Sequence, residues 1–173
     1  IRPQFYKPNQ LIYKYTNKTN FLGGNEYLFF DNKNISNTSV NIIRSERKEI
    51  YHNFLYPYTN RGLKSYSYNP DINGHFIIRN IETTNPKTEA DYAMMHFLLQ
   101  ANQEISDKGV YVYGAFNNFN LTEENRMIFD TSTNNYYCNI PLKQGFYNYT
   151  FVTKSSENLI SNTDIRGDYS ETE

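Results

Sequence analysis

The stretch KQGFYNYTFV, residues 143–152, decides the fold, because apolar and polar side chains alternate along most of its length. Its aromatic residues Tyr147, Tyr149 and Phe151 fall on one face of an extended strand, and the polar residues between them fall on the other. Gly145 supplies a turn immediately before this run. The stretch therefore predicts a β-strand whose aromatic face is turned towards a core.

The same alternation recurs through the chain, and helical periodicity is nearly absent. Short alternating runs that are separated by polar turn clusters, at spacings of roughly 8–15 residues, are typical of a β-sandwich. The predicted strands are residues 11–16, 27–30, 40–42, 50–55, 75–79, 92–100, 109–113, 126–129, 136–140 and 146–152.

A polar stretch that contains a proline, residues 82–87, divides this series, and we interpret it as a linker. The expected architecture is all-β, with two tandem immunoglobulin-like, early-set β-sandwich domains at residues 1–86 and 87–173. Domains of about 85 residues are small, so each needs its aromatic side chains to supply enough buried area. We expect the second domain to lack its end.

The composition excludes several classes of protein. The chain has 17 tyrosines, 12 phenylalanines, 25 asparagines and no tryptophan among 173 residues, with a net charge of -1. A near-zero charge excludes nucleic-acid binding through a basic field, and the aromatic content excludes a disordered chain. The mean hydropathy of -0.75 and the lack of a long apolar run exclude a membrane-spanning helix. We interpret the asparagine-rich remainder as the solvated face of an adaptor.

No catalytic or metal-binding constellation stands out. The three histidines, His52, His75 and His96, lie far apart in sequence, each inside a predicted strand, and none has metal-ligand spacing. A catalytic role would require the fold to bring Asp91, His96 and Glu124 into one cleft. We therefore expect a protein that is not an enzyme and that binds no metal or cofactor.

Two other chemistry-bearing features are expected to be structural. Residues 69–74 carry oxygen-bearing side chains at the first, third and fifth positions and Gly74 at the sixth, as an EF-hand loop does. The twelfth position is Asn80 rather than glutamate, so a β-turn with local hydrogen bonds is the expectation. Cys138 alternates with apolar neighbours, and we expect it in the core.

Residues 110–119, VYVYGAFNNF, resemble the glycogen-binding type of early-set immunoglobulin-like module. Those modules carry a similar Gly-x-Phe-Asn-x-Trp turn and a late strand with alternating tyrosines. Phe119 stands where the tryptophan of that turn would be. Because sugar binding in that group depends on tryptophans, the resemblance supports the fold and weakens a sugar-binding role.

A longer series of motifs covers nearly the whole chain. In order and spacing it is similar to the later portion of the type IX secretion system plug proteins of the Bacteroidota, most specifically at LKQGFYNY. The motifs are residues 1–3, 23–26 with 30–31, 71–76, 90–93, 110–119, 125–127, 142–149 and 167–173.

This resemblance implies a periplasmic, all-β, non-enzymatic protein on the periplasmic side of the outer membrane. Its partner would be the very large outer-membrane translocon β-barrel, with other translocon subunits as further candidates. The plug would close the periplasmic opening of the barrel when no substrate is bound, without inserting into the membrane. The resemblance also implies an immunoglobulin-like domain ahead of residue 1, so we interpret the chain as mature or partial.

We expect one partner contact at the loop that forms the tip of the second sandwich. An ordinary exposed hairpin connection is the alternative for this loop, and a glycan-binding module of a secreted or surface protein is the alternative function. The predicted contact residues are Ala115, Phe116, Asn117, Asn118, Phe119 and Asn120.

Overall fold

The computed structural model describes residues 5–12, 27–60, 71–101, 103–105, 109–154, 160–161 and 165. These residues form twelve β-strands, one helical turn, α1 (Pro86–Glu89), and two 3-10 turns at Ala115–Asn117 and Glu123–Asn125. The strands are β1 (Phe5–Lys7), β2 (Gln10–Ile12), β3 (Leu28–Asp31), β4 (Ile42–Arg47), β5 (Tyr51–Leu55), β6 (Phe76–Ile78), β7 (Tyr92–Gln100), β8 (Gly109–Tyr113), β9 (Ile128–Asp130), β10 (Asn135–Lys143), β11 (Gly145–Lys154) and β12 (Ile160–Ser161).

The first large sheet has five strands in the order β4-β5-β7-β10-β9. Its neighbours pair antiparallel except β5 and β7, which run parallel, with His52 opposite Met94 and Phe54 opposite His96. A parallel pair cannot be joined by a hairpin, so the chain leaves this sheet after β5 and returns at β7.

The second large sheet is built around β11, which pairs antiparallel with β3, β6, β8 and β12. Because Phe146 and Tyr147 pair with both β3 and β6, those two strands lie on opposite edges of β11. Strand β11 is therefore the central strand, and its residues Tyr147–Phe151 lie in the sheet interior.

The core lies between the two sheets and follows from alternation. Along β7, the side chains of Ala93, Met95, Phe97 and Leu99 are buried, whereas those between them are partly exposed. Phe97 meets Tyr149 of β11 edge to face, with ring centres 5.1 Å apart. The facing rows of the two sheets thus interlock in one hydrophobic cluster.

Reciprocal hydrogen bonds fasten the β10–β11 turn to both sheets. The Asn32 N–H donates to the Gly145 carbonyl at 2.9 Å, and the Gly145 N–H donates to Asn32 Oδ1 at 2.8 Å. The Gln144 N–H donates to the Asp91 carbonyl at 2.9 Å, and the Asp91 N–H donates to Gln144 Oε1 at 2.9 Å. The side chains of Asn32 and Gln144 are both buried. Their hydrogen bonds to the backbone therefore replace hydrogen bonds to water, which does not reach them.

The all-β prediction is confirmed, and the two packed sheets are consistent with a β-sandwich. The two tandem immunoglobulin-like domains, 1–86 and 87–173, are not confirmed, because both sheets combine described strands from the two segments. Strand β5 pairs with β7, and β3 and β6 pair with β11. The stretch expected to be a linker, residues 82–87, instead connects β6 of one sheet to β7 of the other.

Several predicted features fall outside the described residues: the motifs at 1–3, 23–26 and 167–173, and most of the strand at 11–16. Among the described residues, α1 is far too short to span a membrane, and no other helix is long and apolar enough.

Candidate partner-binding site

The predicted contact loop follows β8 and is a tight, hydrogen-bonded turn. Its 3-10 turn, Ala115–Asn117, is closed by the Asn118 N–H donating to the Ala115 carbonyl at 2.9 Å and by the Phe119 N–H donating to the Gly114 carbonyl at 3.0 Å. Asn118 and Phe119 both have left-handed backbone angles, with φ of 53° and 55°. Asparagine tolerates that conformation, whereas a phenylalanine there needs support from its surroundings.

Tyr113 supplies that support. Its ring centre lies 5.2 Å from that of Phe119, and the two planes are tilted by 58°. Both side chains are half-buried. The pair therefore presents an aromatic surface that is held in place by the turn below it.

Two asparagine side chains anchor the loop to β8. Asn117 Nδ2 and Asn125 Nδ2 donate to the Val112 carbonyl at 2.9 and 2.7 Å, and Asn125 Nδ2 also donates to the Asn120 carbonyl at 2.9 Å. In return, Asn125 Oδ1 accepts from the Thr122 N–H at 2.7 Å. The loop is thus preformed, since its backbone is fixed by contacts within the chain.

The six predicted contact residues divide into two groups. Ala115, Phe116 and Asn117 serve the fold: the Ala115 N–H donates to the Gly74 carbonyl at 2.8 Å, and Phe116 packs edge to face on Tyr147 at 6.1 Å. The side chains available to a partner are the exposed Asn118 and Asn120 and the half-buried Phe119.

The structure places two histidines in contact that are 44 residues apart in sequence. His52 Nδ1 lies 2.8 Å from His96 Nε2, and the ring centres are 5.0 Å apart. The distance between the ring centres is close to the sum of the nitrogen–nitrogen distance and the two ring radii. The two rings therefore lie nearly end to end. Sequence spacing gave no sign of this pair, because the pairing of β5 with β7 brings together residues that are distant in sequence.

An end-to-end arrangement is a hydrogen bond and not a chelate. One proton occupies the space between the nitrogens, so one ring donates and the other accepts. Burial lowers the pKa of His96 below its ordinary value of 6.5, and positive charge on His52 lowers it further. His75, by contrast, lies just before β6 and not within a strand.

Two features were expected to be structural, the turn at residues 69–74 and Cys138, and both are structural where the structure describes them. The Asn73 N–H donates to Asp71 Oδ1 at 2.9 Å, which is a local turn bond. Cys138 is buried, and burial raises the pKa of its thiol to about 11. Among the described residues, no group of three or more His, Cys, Asp or Glu side chains could hold a metal ion.

Asp91, His96 and Glu124 are not brought into one cleft. Asp91 and His96 are five residues apart along an extended segment, which separates them by about 16 Å. Glu124 lies on the 3-10 turn Glu123–Asn125 and is exposed.

The described elements define the class of protein: an all-β chain of two packed sheets. The chain is similar to a hypothetical protein from Parabacteroides merdae, whose crystal structure at 2.30 Å matches with a TM-score of 0.79 and 29% sequence identity. The match covers 86% of this chain and 38% of that one, so the chain spans about two fifths of its relative. No protein-family model and no curated protein matches the chain.

Proposed function

We propose that this chain is a periplasmic plug of the type IX secretion translocon. It binds the outer-membrane barrel and closes the periplasmic opening of that barrel when no substrate is bound. The observation that carries the proposal is the preformed loop Ala115–Asn120, which offers exposed amides beside an aromatic pair and carries no charge. The chain's residues 110–119 and 142–149 resemble the plug family, and this resemblance is the reason for proposing the translocon barrel as the partner.

The physical demands on a removable plug agree with this loop. Binding to a preformed loop requires little further ordering, so less of the interaction free energy is lost on association. Neutral amide hydrogen bonds depend little on salt, unlike interactions between exposed charges. Aromatic side chains such as Phe119 and Tyr113 are preferred at the centre of protein interfaces.

The proposal also assigns no catalytic role to the chain. What supports this is the separation of Asp91 from His96 by about 16 Å along one extended segment, with Glu124 on a 3-10 turn. Cys138 is also buried, and its raised pKa keeps the thiol protonated near neutral pH.

The first test is capture of the barrel by the tagged protein, expressed from its own promoter. The wild-type protein should recover a very large outer-membrane barrel protein. The double variant N118K/N120K should recover at least about tenfold less, which corresponds to a loss of about 1.4 kcal/mol in binding free energy. The control is Asn37→Lys, which places one lysine, half of the charge added in the double variant, on another exposed asparagine in the β3–β4 connection.

The second test is physiological. Deleting the gene should leave secretion largely working and make the outer membrane permeable to large antibiotics while the translocon is open. Wild-type protein and Asn37→Lys should restore the barrier, and the double variant should not. Unchanged permeability after deletion would contradict the proposal.

A different outcome would favour the glycan-binding alternative. If α-glucan retards the protein in a native gel, and Phe119→Ala removes the retardation without lowering the melting temperature, the loop is a sugar site. Capture of no barrel protein in the same strain would then decide against the plug.

A further inference from the structure

Part of the outer face of the five-stranded sheet, the face that points away from the core, is apolar. A sandwich normally turns polar side chains outward along its strands. Here Leu98 and Tyr137 are directly paired outward-facing neighbours on β7 and β10. Tyr137 is 39% exposed, and Ile43, next to this face on β4, is 49% exposed. Such a surface indicates a site for an apolar group.

A row of stacked side chains crosses this face. The register places Arg44, Phe54, His96 and Asn139 next to one another on four successive strands. The guanidinium carbon of Arg44 lies 3.9 Å from the centre of the Phe54 ring, and the His96 ring stacks on Phe54 at 4.1 Å with an interplanar angle of 10°. Cation–π and ring stacking therefore hold Arg44, Phe54 and His96 as one wall, and Asn139 lies beside His96 on the next strand.

A hollow of about 630 Å³ lies beside this wall. Its other lining residues are Ile43, Leu55, Pro57, Phe97, Leu98 and Tyr137. This volume falls within the range of small-molecule sites, which are mostly apolar with a few placed polar groups. The hollow is thus large enough for a two-ring aromatic molecule.

The charge of the hollow favours a negatively charged ligand. Of the described residues that line it, Arg44 is the one that carries a full charge at neutral pH. Arg44 Nη1 lies 3.0 Å from Glu46 Oε1, and a guanidinium has five N–H donors, so it retains donors for a second acid group. No carboxylate side chain lies among these lining residues to repel an anion.

We propose that this hollow binds a small aromatic monoanion, with its rings on Leu98 and Tyr137 and its acid group on Arg44. The site is on the opposite sheet from β8 and its loop, and it is a ligand-binding activity in addition to the plug function.

Calorimetric titration at neutral pH with two matched probes tests the proposal. Naphthalene-2-carboxylate should bind the protein with 1:1 stoichiometry, and more tightly than the neutral naphthalene-2-methanol by about threefold or more, as for a partly exposed ion pair. Arg44→Gln should bring the two affinities together without abolishing either. Leu98→Asp should abolish binding of both probes.

The controls separate ligand binding from damage to the fold. Ile81→Asp introduces the same charge at an isoleucine that is 59% exposed outside the hollow, and it should bind both probes as the wild type does. If Leu98→Asp does not fold, Tyr137→Ser replaces it, with weakened binding of both probes expected. The proposal is overturned if the wild type shows no saturable binding or if Leu98→Asp binds normally. It is also overturned if sedimentation shows a wild-type dimer that Leu98→Asp dissociates while neither probe binds, since the face is then an interface between copies.

Discussion

Asn32, Asn125 and Asn148 are buried, and each bonds the backbone of a neighbouring segment. Asn148 Oδ1 accepts from the Ile72 N–H at 2.6 Å, which fixes the turn ahead of β6. The interpretation of the asparagine-rich remainder as a solvated face is therefore wrong for these three residues. Composition counts asparagines, but it cannot separate those that bond water from those that replace water inside the protein.

The His52–His96 pair makes folding stability depend on pH. Because the folded protein binds a proton at His96 less tightly than the unfolded chain does, acid favours the unfolded chain. The contribution of the unprotonated His96 to the free energy of unfolding should therefore be complete above its ordinary pKa of 6.5. This contribution should be lost as the pH drops towards the lowered pKa of His96 in the folded protein. A second proton would also place N–H against N–H between the rings, beside Arg44 and Lys48, whose charges already disfavour it.

Urea unfolding between about pH 7 and pH 5 measures this effect. Wild-type stability should decline across the range, and His96→Asn should flatten the decline. His75→Asn is the matched control, since it removes an exposed histidine and should leave the slope unchanged. Asp130 and Glu124 do not confuse the measurement, because their pKa values are lowered below 3.8 and 4.5. A wild-type curve that is flat over this range would refute the role of the pair.

At the scale of elements, strands with strict alternation could be predicted closely. The ranges 92–100 and 109–113 match β7 and β8 to the residue, and 146–152 lies inside β11. The predicted strand 40–42 ends at Ile42, whereas β4 continues to Arg47. The Arg-Ser-Glu-Arg run of β4 is polar and is typical of a turn, so the sequence pattern does not indicate a strand there. It is an edge strand of its sheet, and charged residues are common at such edges.

Gly145 provides the sharpest test of how β11 is packed. A Cβ atom at this position would lie 2.3 Å from the carbonyl oxygen of Ile77, on the paired strand β6. Backbone cannot move aside as a side chain can, so Gly145→Ala should lower the free energy of unfolding by about 3 kcal/mol. Chemical denaturation of the purified variant measures the loss.

Gly109→Ala is the matched control for Gly145→Ala. Its added Cβ would meet the ring of Tyr111 at 2.6 Å, and a side chain can adjust. It should therefore destabilise the protein clearly less than Gly145→Ala does. Equal losses for the two variants would show that the close approach of β6 to β11 is not what requires glycine at position 145.

At the scale of the whole molecule, pairing partners were beyond prediction from sequence. Alternation reports which face of a strand is apolar, but it does not report which strand lies beside it. A proline-bearing polar stretch at residues 82–87 has the same composition whether it links two domains or crosses between two sheets. The position of the contact loop after β8 followed from local motifs, whereas the histidine pair and the hollow required the β5–β7 pairing.

Shared sheets predict that the chain unfolds as one unit. Calorimetry should show a single transition whose calorimetric and van't Hoff enthalpies agree. Segments 1–86 and 87–173, produced separately, should show no cooperative melt, because each loses its neighbours in both sheets and exposes half of one core. The outcome that contradicts this is two resolved transitions in the intact chain, or a cooperative melt of either segment alone. Mixing the two segments is the decisive control: recovery of the intact chain's transition would show that the missing strands, and not damage at the cut, had prevented folding.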